Sequence, residues 1–347
     1  TKVKQVLIRS IAERRITSGA AALIEIAAGS DAPARLEALK ALRAVAEASR
    51  MPDLVRLIVA ATTDADRCEA VAAAAAVASA IPEGSGRADA ALAAFLATSD
   101  IPAKCALLDL LGRIGDDAAL PVLLDTVKDQ NAEIRIAAIR ALSAWPNPAP
   151  MKELFAVAKK DGGGAEGAEA LRGYVRLLGL PSDRPVAETV KQYEKALALA
   201  KNAAEKECVL TGLAATKDAA ALPPLFDALK DPDTAVATAA VKVLSDWPND
   251  APLEKLRGLA RKSENDIHRV LALRGYVRLI GVNPGRASRE TAKMYQEAMA
   301  LTPSADEKKM ILSGLANAPS LAALQVAADA LQDRALKEEA EVAAVKI

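Results

Sequence analysis

The sequence is poor in aromatic residues, histidine and cysteine, and each shortage argues against a class of protein. Phe, Trp and Tyr make up 3% of the 347 residues. The single histidine excludes His-rich metal sites and argues against His-based catalysis. Three cysteines are too few for a disulfide framework. No cofactor is implied, because neither a phosphate-binding glycine loop nor a dinucleotide fingerprint occurs.

The sequence also lacks a net charge and a long apolar run. Its 45 Lys and Arg residues balance 45 Asp and Glu residues, so the composition does not favour a polyanionic partner. The Ala-rich run 71–81 spans 11 residues, too few to cross a bilayer, and we expect no membrane span. What the chain has in abundance is alanine, about 80 residues, which is the strongest helix former.

An internal repeat organises the sequence. The decapeptide LRGYVRLLGL at 171–180 recurs as LRGYVRLIGV at 273–282, an offset of 102 residues, and the Trp-Pro-Asn motif at 145–147 recurs at 247–249. We therefore expect one continuous array over 1–347, without an interior domain boundary. Its blocks are a diverged block 1–103, then 104–205, 206–307 and a partial block 308–347.

Within a block, the smaller unit is a pair of amphipathic helices. Residues 117–128 place leucine and valine at the i, i+3, i+4, i+7 spacing of a helix with one apolar face. A second helix over 132–145 follows a polar turn and ends before Pro146. Three such pairs in a block give about 34 residues per pair and roughly ten pairs in all. The sequence thus predicts an all-α superhelix of stacked pairs.

Residues 222–247, LPPLFDALKDPDTAVATAAVKVLSDW, carry an apolar helix, a Lys-Asp-Pro-Asp turn and a second helix rich in Val and Ala. This pattern resembles HEAT repeats, particularly the short bacterial HEAT-like kind. Residues 123–142 match it too and carry Arg135, which the consensus places early in the second helix, whereas Ala237 takes that position one block later. The resemblance implies an α-solenoid. For function it implies a non-enzymatic scaffold that binds protein partners of unknown identity.

A narrower resemblance concerns the segment 273–282 and the later LSGL motif at 312–315. Both are similar to HEAT modules of large multidomain bacterial proteins, often extracytoplasmic, in which the array adjoins a carbohydrate-active or redox domain. This resemblance implies a piece of a longer protein, with an adjacent catalytic domain as a partner and an extracytoplasmic location. The cytoplasm remains an open alternative.

A second function class is a nucleic-acid-binding or DNA-base-repair HEAT-like module that uses an arginine-bearing concave surface. Such proteins need an excess of positive charge to bind phosphates. The charge balance of zero and the lack of any basic run of five residues count against this alternative. We therefore expect a protein partner and no nucleic acid.

Four arginines are the candidate partner-binding residues: Arg172, Arg176, Arg274 and Arg278. The blocks 104–205 and 206–307 each carry two of them, four residues apart on a predicted second helix and pointing away from its apolar stripe. The resemblance implies that second helices line a concave surface, where a guanidinium group binds a carboxylate or phosphate. The competing interpretation pairs these arginines with acidic groups nearby, such as Glu169 or Asp183.

The remaining conspicuous residues are interpreted as structural, and no catalytic or metal-binding residue is assigned. Trp145 and Trp247 precede prolines and are expected to staple turns rather than to face a partner. Gly173 and Gly275 lie inside helices, where glycine costs about 1 kcal/mol relative to alanine, so we expect close helix–helix packing there. His268 has no nucleophile motif beside it.

Two aspartate series recur at the block interval. A row of carboxylates that binds cations is one interpretation, and capping of the turns is the favoured one. The glycine-rich stretch 161–164 is likewise predicted to be a turn rather than a linker. The three cysteines lie apart in the sequence and are expected to be small buried residues. These residues are Asp125, Asp227 and Asp329; Asp129, Asp231 and Asp333; and Cys68, Cys105 and Cys208.

Overall fold

The computed structural model describes residues 2–347, and over that range it contains 21 α-helices and no β-strand. The prediction of an all-α fold is confirmed. The described helices form two compact units, one ending at Leu180 and the other beginning at Pro181. The first unit contains α1 (Lys2–Glu13), α2 (Ala20–Ala27), α3 (Ala32–Val45), α4 (Met51–Ala60), α5 (Asp64–Ser79), α6 (Asp89–Ala97), α7 (Ile101–Ile114), α8 (Leu120–Thr126), α9 (Ala132–Ser143), α10 (Met151–Asp161) and α11 (Ala165–Leu178).

The second unit has the same kind of organisation. It contains α12 (Val186–Leu199), α13 (Ala203–Ala215), α14 (Leu222–Ala228), α15 (Thr234–Ser245), α16 (Leu253–Lys262), α17 (Asp266–Ile280), α18 (Ser288–Ala300), α19 (Ala305–Leu315), α20 (Leu321–Ala330) and α21 (Lys337–Lys346). Within residues 2–347, none of these helices combines the length and the apolar character that a bilayer crossing requires. The continuity of one array over 1–347 stays a prediction.

Helices pack in pairs, and the pairs stack through their second members. In the first unit α2 packs on α3, α4 on α5, α6 on α7, α8 on α9 and α10 on α11. We call the earlier member of each pair the first helix and the later member the second helix. Second helices then pack on one another in chain order, α3 on α5 and so on to α11, and likewise α13 to α21 in the second unit. Each unit therefore buries its apolar faces between neighbours in sequence.

The turns inside the pairs are built by side chains that cap the second helix. Asn131 accepts hydrogen bonds from the amides of Glu133 (2.8 Å) and Ile134 (3.2 Å), which starts α9. Asp129 accepts one from the Asn131 amide at 2.8 Å, and Asp231 and Asp333 make the same contact two residues ahead. The capping interpretation is confirmed for this aspartate series. It is wrong for the other series, Asp125, Asp227 and Asp329, whose side chains are exposed on first helices.

Arg135 ties its turn to the next second helix. Its Nη1 donates to the carbonyl oxygens of Asp129 (2.9 Å) and Gln130 (3.0 Å), and its Nε donates to Glu166 Oε1 on α11 at 2.9 Å. Arg35 makes the same two contacts in the diverged block, to the Gly29 carbonyl and to Asp66 on α5. An arginine four residues after the cap therefore closes the turn and links two pairs.

The corresponding joint of the next block is built differently. Ala237 stands where Arg135 stood, and His268 stands where Glu166 stood, 102 residues later in each case. Thr238 Oγ1 and His268 Nε2 lie 2.8 Å apart and hydrogen-bond across α15 and α17. His268 is buried, and the Asn265 side chain accepts a hydrogen bond from its amide. The role of His268 in this structure is to join two helices.

Close packing against a neighbouring helix explains why Gly173 and Gly275 lie inside α11 and α17. A Cβ atom on Gly173 would lie 2.0 Å from Ser143 Oγ, and one on Gly275 would lie 2.2 Å from Ser245 Oγ. The side-chain-free surface of each glycine thus receives the serine at the end of the preceding second helix. The predicted close approach is confirmed at both positions.

Trp145 is 0% exposed and Trp247 is 1% exposed, so the prediction that each staples its turn is confirmed and a solvent-facing role is wrong. Pro146, which follows Trp145, packs over Gly115, the left-handed residue that ends α7.

The glycine-rich stretch 161–164 forms a turn, as predicted. Gly162 has a φ of 62° and ends α10 just before α11 begins.

Candidate interaction surface

The structure divides the four candidate arginines into two kinds. Arg176 Nη1 donates hydrogen bonds of 2.9 Å to the carbonyl oxygens of Ser143 and Trp145, where α9 ends. Arg278 donates in the same way to Ser245 (2.7 Å) and to Trp247 at the end of α15. The last carbonyl groups of a helix have no partner inside it, and these guanidinium groups supply one. Arg176 therefore stabilises the end of α9, and Arg278 stabilises the end of α15.

Arg172 and Arg274 remain accessible from solvent. Each side chain is 59% exposed. Arg172 forms an ion pair of 2.5 Å with Glu169 of the same helix, and Arg274 Nε lies 4.0 Å from Glu307 Oε1 on the next second helix. Glu169 is partly buried and Glu307 is buried, but each guanidinium group is itself exposed, so both are accessible to a partner. The partner-binding role of the four arginines stays a prediction, and the geometry favours Arg172 and Arg274 for it.

A larger surface feature lies in the first unit, across three successive second helices. We call it the second-helix groove. Helices α5, α7 and α9 line an open groove of about 720 Å³. The residues that line it are Asp64, Arg67, Cys68, Val71, Pro102, Cys105, Ala106, Asp109, Glu133, Ala137, Arg140, Ala141 and Ala144.

The helical period explains how each helix contributes a row to this groove. On α5 the lining residues Asp64, Arg67, Cys68 and Val71 follow the i, i+3, i+4, i+7 spacing of one helix face. Cys68 and Cys105 each lie five residues after the cap that begins their helix, and so they occupy equivalent positions on α5 and α7. The small side chains of Ala106, Ala137 and Ala141 leave the space that makes the groove.

The prediction that the three cysteines are buried is wrong. The three cysteines were expected to be small buried residues, but Cys68 is exposed, and Cys105 and Cys208 are half-buried. In α5 the apolar face is occupied by Ala70, Val71, Ala74 and Val77, and Cys68 falls outside it next to Arg67. The charged residues on both sides of Cys68 in the sequence are a signal that could have placed it at the surface.

The groove also sets the chemistry of the Cys105 thiol. Partial burial raises its pKa, and the nearby carboxylate of Glu133 raises it further. The guanidinium groups of Arg140 and Arg67 act in the opposite direction, with a smaller effect. The thiol of Cys105 therefore lies within the electrostatic reach of both Glu133 and Arg140 on the neighbouring helix.

Among residues 2–347, no three or more His, Cys, Asp or Glu side chains are grouped in a way that could hold a metal ion. In the groove, three carboxylates face two guanidinium groups, and its floor is formed by alanine and valine. This combination suits noncovalent contact with a surface that carries charges of both signs.

Comparison with known proteins identifies the repeat. A family model described as HEAT repeats matches residues 88–172 and 194–275. No curated protein shows a significant sequence match. Among solved structures, the chain is similar to a crystal structure of a Kap121p mutant, with 13% identity and a TM-score of 0.55, over 94% of this chain and 41% of that one. It is similar to Kap95p with 12% identity and a TM-score of 0.55, over 99% of this chain and 53% of that one.

The chain thus spans about half the length of these two structures. At this level of identity the likeness establishes the fold. It agrees with the stacked helix pairs and with the family match over both segments. Residues 88–172 and 194–275 are HEAT repeats, and the chain is an all-α protein of the HEAT-repeat α-solenoid class.

Proposed function

We propose that this chain is a non-enzymatic protein-interaction scaffold and that the second-helix groove of the first unit is a docking surface. The observation that carries the proposal is the groove itself, about 720 Å³ in volume and shared by three consecutive second helices. A surface of this kind offers a long contact area without an enclosed site for a small molecule.

The charges in the groove favour a protein over a nucleic acid. Asp64, Asp109 and Glu133 supply three carboxylates, whereas Arg67 and Arg140 supply two guanidinium groups. A nucleic-acid site requires an excess of cations to displace the counterions of the phosphates. The alternative of a nucleic-acid-binding or base-repair module is therefore not favoured.

The structural relatives are consistent with this class of function. In the solved complex, binding of Kap95p induces the switch loops of RanGDP to adopt the GTP-bound conformation, so Kap95p acts on another protein. The fold alone does not define a partner for this chain. The related proposal, that the array is a docking arm beside a catalytic domain in a larger extracytoplasmic protein, rests on the sequence resemblance described above.

Cross-linking from inside the groove tests the proposal. Cys68 is exposed and lines the groove, so a thiol-reactive benzophenone can be attached there in a variant that carries Cys105→Ser and Cys208→Ser. The matched control carries the same label on an Asp125→Cys variant without the native thiols, because Asp125 is exposed on the first helix α8. Both labelled proteins are irradiated in a lysate of the source organism.

The expected result is a protein adduct that forms from the Cys68 label and not from the control label. Replacement of the groove residue Arg140 with Glu should reduce the yield of that adduct by at least tenfold. If both labels yield the same adducts, or if the Cys68 label yields none, the groove is not a docking surface for a protein in that lysate.

A further inference from the structure

Most charged side chains of the second-helix groove already have a partner inside the protein. Arg67 Nη1 lies 3.2 Å from Asp64 Oδ1. Asp109 lies 2.9 Å from Arg113 on the same helix, α7. These two ion pairs account for three of the five charged groups that line the groove.

The two remaining groups are Glu133 and Arg140, both exposed on α9. Within residues 2–347, neither side chain forms an ion pair. They are seven residues apart, which is two turns of the helix, so they lie on the same face at about 10 Å along its axis. The groove therefore presents one negative and one positive group without an ion-pair partner, on residues about 10 Å apart along the helix axis.

The neighbouring helix shows that both charges act on the same part of the groove. The carboxylate of Glu133 and the guanidinium of Arg140 both influence the Cys105 thiol on α7, with opposite sign. Between them, Ala137 lines the floor of the groove and offers little steric hindrance. A bound segment would thus meet a negative group, a small apolar floor with a thiol beside it, and a positive group in that order.

The next block shows whether Glu133 and Arg140 are needed to form the helix that carries them. At the 102-residue offset, Ala235 takes the position of Glu133 and Lys242 takes that of Arg140. Helix α15 nevertheless begins and ends at the equivalent residues, Thr234 and Ser245. Since α15 forms without a carboxylate at this position, Glu133 is not required to build the second helix.

We propose that the second-helix groove binds a protein segment that presents a basic and an acidic side chain about 10 Å apart, the basic one to Glu133 and the acidic one to Arg140. This inference rests on the proposed function and specifies the chemistry of the partner. Three residues of extended chain span about 10 Å, as do seven residues of a helix. Small side chains between the two charges fit the alanine floor.

Selection of peptides from a phage-displayed library of random 16-residue sequences tests the inference. The full chain is the target, and each recovered peptide is synthesised and its Kd measured against the wild type. It is then measured against Glu133→Lys, Arg140→Glu and the double variant that carries both changes. The matched controls are Glu290→Lys and Arg261→Glu, which make the same charge changes in the first turn of α18 and the last turn of α16, in the other unit.

Peptides that bind the groove should carry the opposite charges at one constant spacing. Each single groove variant should weaken their binding at least tenfold, and each control should change it less than twofold. The double variant should bind a peptide in which the basic and acidic residues are exchanged. Bound peptide should slow alkylation of Cys68 and Cys105, which line the groove, and leave Cys208 of the second unit unchanged.

The outcomes separate this inference from the function on which it rests. Peptides that protect Cys68 and Cys105 but bind both single variants as tightly as the wild type would refute the charge pair and leave the docking groove in place. A selection that returns no thiol-protecting peptide would count against both. Circular dichroism checks the folding of each variant, and Glu133→Gln serves if Glu133→Lys does not fold, with a smaller loss of affinity expected.

Discussion

Gly173 packs its backbone directly against Ser143, so closely that a Cβ atom at residue 173 would lie 2.0 Å from the serine hydroxyl oxygen. The second helices α9 and α11 meet at this point, and Gly275 and Ser245 repeat the arrangement between α15 and α17. Since a helical glycine is unfavourable in itself, the contact between helices has to compensate for it.

The first prediction concerns this contact. Gly173→Ala should lower the urea midpoint of unfolding, because the new methyl group overpacks the joint by about 1–3 kcal/mol, more than the gain in helix propensity. Gly258→Ala is the matched control, since no atom lies within 4 Å of a Cβ atom there, and it should raise the midpoint. If both substitutions raise the midpoint, the glycine at 173 is not a packing requirement.

The second prediction separates the two kinds of arginine. Arg176→Met removes the donor to the carbonyl groups of Ser143 and Trp145 and should cost about 1–3 kcal/mol of unfolding free energy. Arg172→Met removes an exposed group and should change the unfolding free energy by about 0.5 kcal/mol or less. Thermal unfolding measures both. A larger effect at Arg172 than at Arg176 would contradict the assignment.

The same comparison bears on binding. The combined variant Arg172→Ala and Arg274→Ala should keep its melting temperature while it weakens a partner that uses this face. Binding is measured with any partner identified by cross-linking. Unchanged affinity would remove these two arginines from the list of candidate binding residues.

The third prediction concerns the ion pair between Arg35 and Asp66, whose atoms approach to 2.8 Å. Burial opposes ionisation of Asp66, but hydrogen bonds from Arg35 and Thr63 outweigh it and leave the pKa below its ordinary value. A carboxyl with a lowered pKa in the folded state stabilises the fold above the pKa of the unfolded state, about 4. That contribution is lost as the pH falls through the pKa of the folded state.

Asp66→Asn should therefore lower the unfolding free energy at pH 7 by about 1–3 kcal/mol. The difference from the wild type should shrink as the pH falls below about 4, because the wild-type carboxyl then becomes neutral. Urea unfolding at several pH values measures this difference. A difference that stays constant from pH 7 to pH 2 would show that the charge of Asp66 does not stabilise the joint.

The fourth prediction concerns the thiols of the groove. Cys68 should react faster with iodoacetamide than Cys105, because burial and Glu133 raise the pKa of the Cys105 thiol and so reduce its thiolate fraction at a given pH. Glu133→Gln should move the pH profile of Cys105 alkylation to lower pH, and Arg140→Gln should move it to higher pH. Mass spectrometry of labelled peptides follows each site. Equal shifts at Cys208 would indicate a general effect of the substitution.

The helix pairs could be predicted from the sequence because their determinants are local. Leucines three and four residues apart define a helix face, and a residue such as Asn131 marks the start of the next helix. The repeat then multiplies each local signal, so a motif that is weak in one block is supported by the other. The family match over 88–172 and 194–275 confirms the HEAT resemblance at the residues where it was found.

The surface was less predictable, for reasons that lie in tertiary packing. Arg172 and Arg176 lie four apart on one helix, and only the position where α9 ends decides that Arg176 contacts carbonyl groups while Arg172 remains exposed. Helix α5 is so rich in alanine that its apolar face is poorly marked, which is why Cys68 was assigned to the interior. The groove itself depends on how α5, α7 and α9 align, and no local pattern encodes that.

The joint between second helices takes two forms: an ion pair between Arg135 and Glu166, and a hydrogen bond between Thr238 and His268 that involves no carboxylate. Dissolved salt screens the first kind of contact and leaves the second almost untouched. The joint between α9 and α11 in the first unit is therefore more sensitive to salt than the joint between α15 and α17 in the second unit. A rise in ionic strength should weaken the contact between α9 and α11 and leave the contact between α15 and α17 nearly unchanged.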